Sequence, residues 1–288
     1  MPDIATYAAP RSLDEAFALL RSGEVTILAG GTDLMPQTQA GKSSFRPTLM
    51  NIRRIPELSG IMEAGGVVRI GALATVTDLR DSDLVRQRFG ALWQACDHFA
   101  SDQIRNAATI GGNICNASPA GDTLVPLLVL DARVVLAGKP NGSVRRRTLP
   151  LAEFLVGPGR TAREPTELLE AVEISVPAAG FFSSFFKFGA RPALDISVIS
   201  IGLGAVRDGR KLTGVRIAFG AVAPTAIRVP ATEALLEGRT LDAATIAAAA
   251  ADAVREIHPI GDLRASAWYR RELVGNMLRR MLEHVSNG

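Results

Sequence analysis

A short apolar run that passes straight into two glycines, Val25-Thr26-Ile27-Leu28-Ala29-Gly30-Gly31, and continues as Thr32-Asp33-Leu34-Met35, is the tightest constraint in this chain. Val, Thr and Ile in sequence favour a buried strand. Consecutive glycines at a strand end tolerate positive φ and let successive amides point into one concavity, a geometry that suits an anion. Thr32 adds a hydroxyl donor. Two roles are open to Asp33: capping the helix that Thr32-Asp33-Leu34-Met35 begins, or accepting a hydroxyl from a ligand. A second pair, Thr109-Ile110-Gly111-Gly112-Asn113, offers another such nest, with Asn113 able to donate and accept. Either pair alone is equally at home in a plain turn. Neither is a Gly-x-Gly-x-x-Gly fingerprint or a Walker loop, which disfavours an ordinary nicotinamide-binding domain. Gly202-Leu203-Gly204 lies inside an alternating apolar run and reads as strand.

The 288 residues exceed what one core commonly serves, so two or three compact units are expected. A net charge of +3 and the lack of a basic stripe interleaved with aromatics argue against nucleic acid. The one dense cationic patch, Arg145-Arg146-Arg147, reads as a solvated turn between strands. No apolar run reaches the roughly 18 residues needed to span a bilayer, and the beginning Met1-Pro2-Asp3-Ile4 lacks a signal-peptide pattern. A cytoplasmic location is therefore expected. The two cysteines, Cys96 and Cys115, are too few for an iron–sulfur cluster or a structural zinc site, and no disulfide is expected. The three histidines, His98, His258 and His284, include no metal-spaced pair. His98 has two readings, a helix-surface residue or a neighbour of a cofactor. No hydrolase motif is present.

Along the chain, Ser12 followed by Asp14 and Glu15 predicts a helix from 12 to 21. Strands follow at 25–28 and 48–52, with a helix between them that ends near Lys42. Further on, strands are expected at 67–71, 134–136, 144–149 and 168–176, and a turn at Pro140-Asn141-Gly142. Helices are expected from Thr77, over 89–100 and over 122–130. The C-terminal part predicts an antiparallel meander at 183–188, 198–206 and 211–220, with Asp208-Gly209 as a hairpin turn, and helices at 243–257 and around Leu273–Leu282. The fold class is α+β. A small parallel α/β unit (about 1–55) and a larger mixed or antiparallel sheet unit (56–177) form the first domain. A domain at 178–288 with a three-stranded antiparallel sheet and helices follows.

The pattern Ala29-Gly30-Gly31-Thr32-Asp33-Leu34, with Thr109-Ile110-Gly111-Gly112-Asn113-Ile114 and Ala117-Ser118-Pro119-Ala120-Gly121-Asp122, resembles the FAD-binding medium subunit of molybdenum hydroxylases. That family includes xanthine dehydrogenase and carbon monoxide dehydrogenase. The stretch from Gly220 through Pro224 to Arg228 is similar to a motif of the family's C-terminal domain, so the resemblance covers nearly the whole chain.

The resemblance implies that Leu28, Ala29, Gly30, Gly31, Thr32, Asp33, Leu34 and Met35, with Thr109, Ile110, Gly111, Gly112 and Asn113, wrap the FAD pyrophosphate and ribityl chain. Asp122 matches a hydrogen-bonding position, Leu169 an apolar contact and Phe99 an aromatic one, although both could equally be core. Lys187 matches a lysine that reaches the flavin, where a cation favours the anionic reduced ring; a strand-edge charge is the other reading. Implied partners are a large subunit with the molybdenum cofactor and a small subunit with two 2Fe–2S clusters, as a dimer of heterotrimers. The chain itself then needs FAD alone, no metal and no acid–base catalyst. No nicotinamide site is identifiable, and the cysteine-bearing insertion of some relatives is lacking. Two other readings stay open: a self-contained flavin oxidase or reductase of the same cofactor fold, and a non-catalytic module whose glycines only shape turns.

Overall fold

The computed structural model describes residues 4–140, 142–191 and 194–287; Asn141 of the expected 140–142 turn lies outside them. The first unit comprises β1 (Thr6–Ala8), α1 (Leu13–Leu20), β2 (Val25–Leu28), α2 (Leu34–Gln39) and β3 (Thr48–Asn51). Its strands are parallel in the order β1-β3-β2. Ser12 caps α1 as its composition demands: its Oγ accepts the Glu15 N–H at 3.2 Å, and the Glu15 carboxylate accepts the Arg11 N–H at 2.7 Å. Leu13, Ala16, Phe17 and Leu20 fall on one face and are buried against the sheet. β1 has no apolar run to announce it, and its Tyr7 is exposed.

The second unit begins with the hairpin β4 (Ile61–Ala64) and β5 (Val67–Gly71), turned by Gly65 and Gly66 at φ 59° and 76°. Six short helices follow: α3 (Val76–Asp81), α4 (Asp83–Arg88), α5 (Gly90–Asp97), α6 (Asp102–Arg105), α7 (Ile110–Asn116) and α8 (Leu124–Val129). Then come β6 (Arg133–Gly138), β7 (Arg145–Pro150), α9 (Leu151–Phe154), the small hairpin β8 (Leu155–Gly157) and β9 (Arg160–Thr161), and β10 (Glu167–Ser175). The sheet runs β4-β5-β10-β6-β7 and is antiparallel throughout. Its helix-facing side and the helices share the largest core, built on Ile70, Leu79, Phe89, Leu92 and Phe154.

The arginine run is not the solvated turn expected. It lies on β7, where Arg146 pairs with Glu170 and Arg147 with Glu167, each at 2.6 Å. Glu170 also takes Arg69 at 2.8 Å. Both glutamates are buried on the central strand β10, and a buried carboxylate is tolerated only when paired.

The third unit holds β11 (Phe181–Phe188), β12 (Ile199–Asp208), β13 (Lys211–Gly220) and β14 (Ile227–Arg228), then α10 (Pro230–Leu236), α11 (Ala243–Glu256) and α12 (Ala267–Asn287). The antiparallel sheet therefore has four strands rather than the three expected. The fourth is a two-residue strand, too short to carry a pattern, held beside Ala218 and Phe219. Gly209, at φ 56°, makes the β12–β13 turn. Phe185, Ala218 and Ala226 pack into the core of the second unit, so the two units are joined by apolar contact. They are also pinned by charge. Asp131 beyond α8 pairs with Arg216 at 3.1 Å and Arg228 at 2.7 Å, and Asp122 pairs with Lys187 at 2.6 Å.

Two outcomes follow from these contacts. A Cβ on Gly111 would stand 2.7 Å from the Cβ and carbonyl oxygen of Ala72. Gly111→Ala is expected to destabilise the fold by about 1–3 kcal/mol, read as a lowered Tm. Asp122 has its carboxyl pushed up by burial, with Lys187 opposing the rise. A carboxyl raised above its unfolded value contributes stability at low pH that is lost as pH rises through its folded pKa. Lys187→Met removes the opposing cation and leaves the carboxylate uncompensated. It is expected to cost about 3–5 kcal/mol at neutral pH, with a Tm deficit that shrinks in mild acid as Asp122 takes up a proton.

Candidate functional site

A cavity of about 580 Å³ opens where the parallel unit meets α7 and β10. The β2–α2 loop forms one wall. Gly31 sits at φ 76°, which only glycine adopts freely, and Gly30 lies so close to the Ala107 carbonyl that no Cβ could be accommodated. The N–H groups of Gly30, Gly31, Thr32 and Asp33 donate to no acceptor among the described residues. Four adjacent free amides on a cavity wall form an anion-binding concavity. Asp33 stands at the N-cap position of α2 but makes no capping bond, so of its two expected roles the cap is excluded. Desolvation raises its carboxyl above the ordinary range.

The second glycine segment is not a nest. Thr109 precedes its glycines instead of following them and acts as the N-cap of α7, its Oγ1 accepting the Gly112 N–H at 3.0 Å. The Ile110 N–H donates to Ala74 O and the Gly111 N–H to Ala72 O, both at 2.9 Å, and the Asn113 N–H to Thr109 O at 3.0 Å. All four amides are engaged. Gly111 and Gly112 instead supply close packing and room, and Asn113 is buried with its Oδ1 accepting the Thr123 hydroxyl at 2.7 Å.

Of the residues expected from sequence, Ala29 to Leu34, Phe99, Thr109, Gly111, Gly112, Asn113 and Leu169 line this cavity. Phe99 and Leu169 belong to the core and face the cavity at once, so the two readings of each coincide. Leu28 packs beneath the loop, Ile110 is wholly buried, and Met35 points largely to solvent; none of the three reaches the wall. Asp122 and Lys187 do not reach it either. They bind each other, and Lys187 borders a second, smaller cavity of about 250 Å³ with His98, Phe186, Phe188 and Arg191. Asp122 Oδ1 is buried without a partner. His98 is an exposed helix-end residue, with Nδ1 2.9 Å from Gln94 O, and it also borders that second cavity.

Several wall residues were not legible in the sequence. Gln37 and Asn116 meet across the larger cavity, Gln37 Nε2 donating to Asn116 Oδ1 at 2.9 Å. Thr161 and Arg163 arrive with the β8–β9 hairpin, and Cys115 lies on α7. Burial pushes the Cys115 thiol up to about 11, so it is a neutral wall group. No local motif marks any of these positions. Among the described residues no cluster of His, Cys, Asp and Glu is placed to hold a metal ion, and no helix is long and apolar enough to cross a membrane. The donor set fits a dinucleotide flavin: free amides for a diphosphate, polar side chains for hydroxyls, and apolar walls at Phe99, Leu168 and Leu169.

Comparison with known proteins agrees with that chemistry. Residues 3–178 match the model of the FAD binding domain in molybdopterin dehydrogenase, and residues 184–285 that of the CO dehydrogenase flavoprotein C-terminal domain. The xanthine dehydrogenase FAD-binding subunit of Escherichia coli O157:H7 is 33% identical over 99% of this chain and 97% of its own length. The carbon monoxide dehydrogenase medium chain of Hydrogenophaga pseudoflava is 34% identical over 98% of this chain and 97% of its own. Among solved structures, reconstituted CO dehydrogenase from Oligotropha carboxidovorans superposes with a TM-score of 0.93 at 31% identity, covering 100% of this chain and 99% of that one. With its glycine-loop cavity and both of its halves matched, the chain belongs to the FAD-binding medium subunits of the molybdenum hydroxylase family, which are components of oxidoreductases.

Proposed function

We propose that this chain holds one FAD in the 580 Å³ cavity and relays electrons from the 2Fe–2S clusters of a small partner subunit to an external acceptor. A large subunit would carry the molybdenum cofactor, and the assembly would be a cytoplasmic dimer of heterotrimers. The observation that supports this most is the run of four unengaged amides from Gly30 to Asp33 on a cavity wall. When bound, FAD supplies the one- and two-electron chemistry that the side chains lack.

The residues divide the work of holding it. Gly30, Gly31 and Thr32 donate to the diphosphate, and Asp33 accepts a ribityl hydroxyl. Asn113 offers its side-chain amide. Phe99, Leu168 and Leu169 exclude water from the apolar wall. Lys187, fixed by Asp122, borders the smaller cavity instead, and would favour a negatively charged reduced ring only where the ring extends beyond the larger cavity to it. We read residues 1–177 as the FAD-binding domain and 178–288 as the C-terminal domain that carries Lys187. The reading as a self-contained oxidase has less support, since the matched relatives are named as subunits or chains of larger enzymes and align over nearly their full length.

The purified chain is expected to be yellow and to release one equivalent of FAD on acid or heat treatment. A colourless chain that takes up no added FAD overturns the proposal, and co-purification with a cluster subunit separates the relay from a self-contained oxidase. Asp33→Ala is expected to weaken FAD binding about tenfold or more, the loss of one hydrogen bond to a charged group. Quenching of flavin fluorescence on titration measures it.

A further inference from the structure

We infer that Arg163 is the cation that recognises the diphosphate of the cofactor's ADP half and makes this cavity selective for a dinucleotide flavin over shorter ones; the inference rests on the FAD-binding reading above. Among the described residues lining the cavity, Arg163 is the one cation and Asp33 the one acid. A diphosphate brings two negative charges into this space. With the amides of α7 engaged by the protein, the β2–α2 loop supplies dipoles but no full charge. A formal positive charge would complement the diphosphate, and Arg163 is the one that the described lining supplies.

Its placement is built. The β8–β9 hairpin is docked on the end of α7, with the Gly159 N–H donating to Ala117 O at 3.2 Å. Arg163 Nη1 donates to Glu167 O at 2.7 Å and Glu164 O at 2.9 Å, which orients the guanidinium through carbonyls that carry no formal charge. Nε and Nη2 have no partner among the described residues. The nearby Glu167 carboxylate is taken by Arg147 at 2.6 Å. Arg69, Arg146, Arg147, Arg228 and Arg270 all end on carboxylates, whereas Arg163 forms no ion pair among the described residues. A guanidinium fixed on one side and unpaired on the other matches the planar, two-pronged recognition of phosphate oxygens.

The same carbonyl bonds also brace the turn before Leu168 and Leu169, so a test must separate charge from scaffolding. The full chain, freed of flavin, is titrated with FAD, riboflavin and ADP at low and high salt. Arg163→Gln is expected to weaken FAD and ADP by about tenfold or more, to leave riboflavin within about twofold, and to flatten the salt dependence of FAD binding. Arg163→Lys should restore part of the FAD affinity. Unchanged FAD affinity in Arg163→Gln, equal losses for FAD and riboflavin, or a loss with unaltered salt dependence would each overturn the inference. Failure of the parent reading looks different: the wild-type chain would then take up no FAD.

Discussion

Main chain lies directly on main chain at Gly30 and Gly111, and these contacts help set the walls of the cavity. Gly30 rests against the carbonyl of Ala107, and Gly111 against Ala72. A side chain at either point would wedge the parallel unit away from the antiparallel one, or α7 away from the end of β5. Both cores press on these contacts. Phe17 and Met50 hold α1 to the small sheet, while Leu92, Ile110 and Phe154 hold the helices to the large one. Because the backbones touch, the end of β2 stands beside α7 with its amides facing a shared space. The space between them is a consequence of close packing elsewhere.

Charge is handled by a consistent rule. Glu167, Glu170 and Glu233 are buried, and each is met by arginine. These pairs tie β7 and β5 to β10, and β14 to α10. Several groups depart from that rule. Asp33 makes no cap bond, Arg163 has no carboxylate, and Asp122 keeps one oxygen without a partner. Asp33 and Arg163, left open on the wall of one cavity, mark that cavity as a binding site.

Much of the local structure was legible in the residues. Ser12 with Glu15 set where α1 begins, and Val25 to Leu28 running into two glycines set the strand and the loop. Asp208-Gly209 made its turn as turn chemistry requires. Elements without a local pattern escaped: β1 with its exposed Tyr7, the β4 hairpin, and the two residues of β14. Each exists because a neighbouring strand offers it hydrogen bonds. Arg145-Arg146-Arg147 misled for a related reason, since three charges in a row read as solvent-facing until Glu167 and Glu170 are brought opposite them.

The sequence by itself determined the α+β class, the order of the main elements, the free-amide loop at Gly30-Gly31 and the likeness to a flavin-binding family. These depend on backbone sterics, capping and side-chain period, all of which act within a few residues. Only the tertiary structure decided that Thr109-Ile110-Gly111-Gly112-Asn113 begins a helix with its amides engaged, because Ala72 and Ala74, far back in the chain, supply the acceptors. It alone paired Asp122 with Lys187, 65 residues apart, and brought Arg163 to the wall of the larger cavity. Which group meets which across such distances is fixed by how sheets and helices pack, and no local rule encodes that choice.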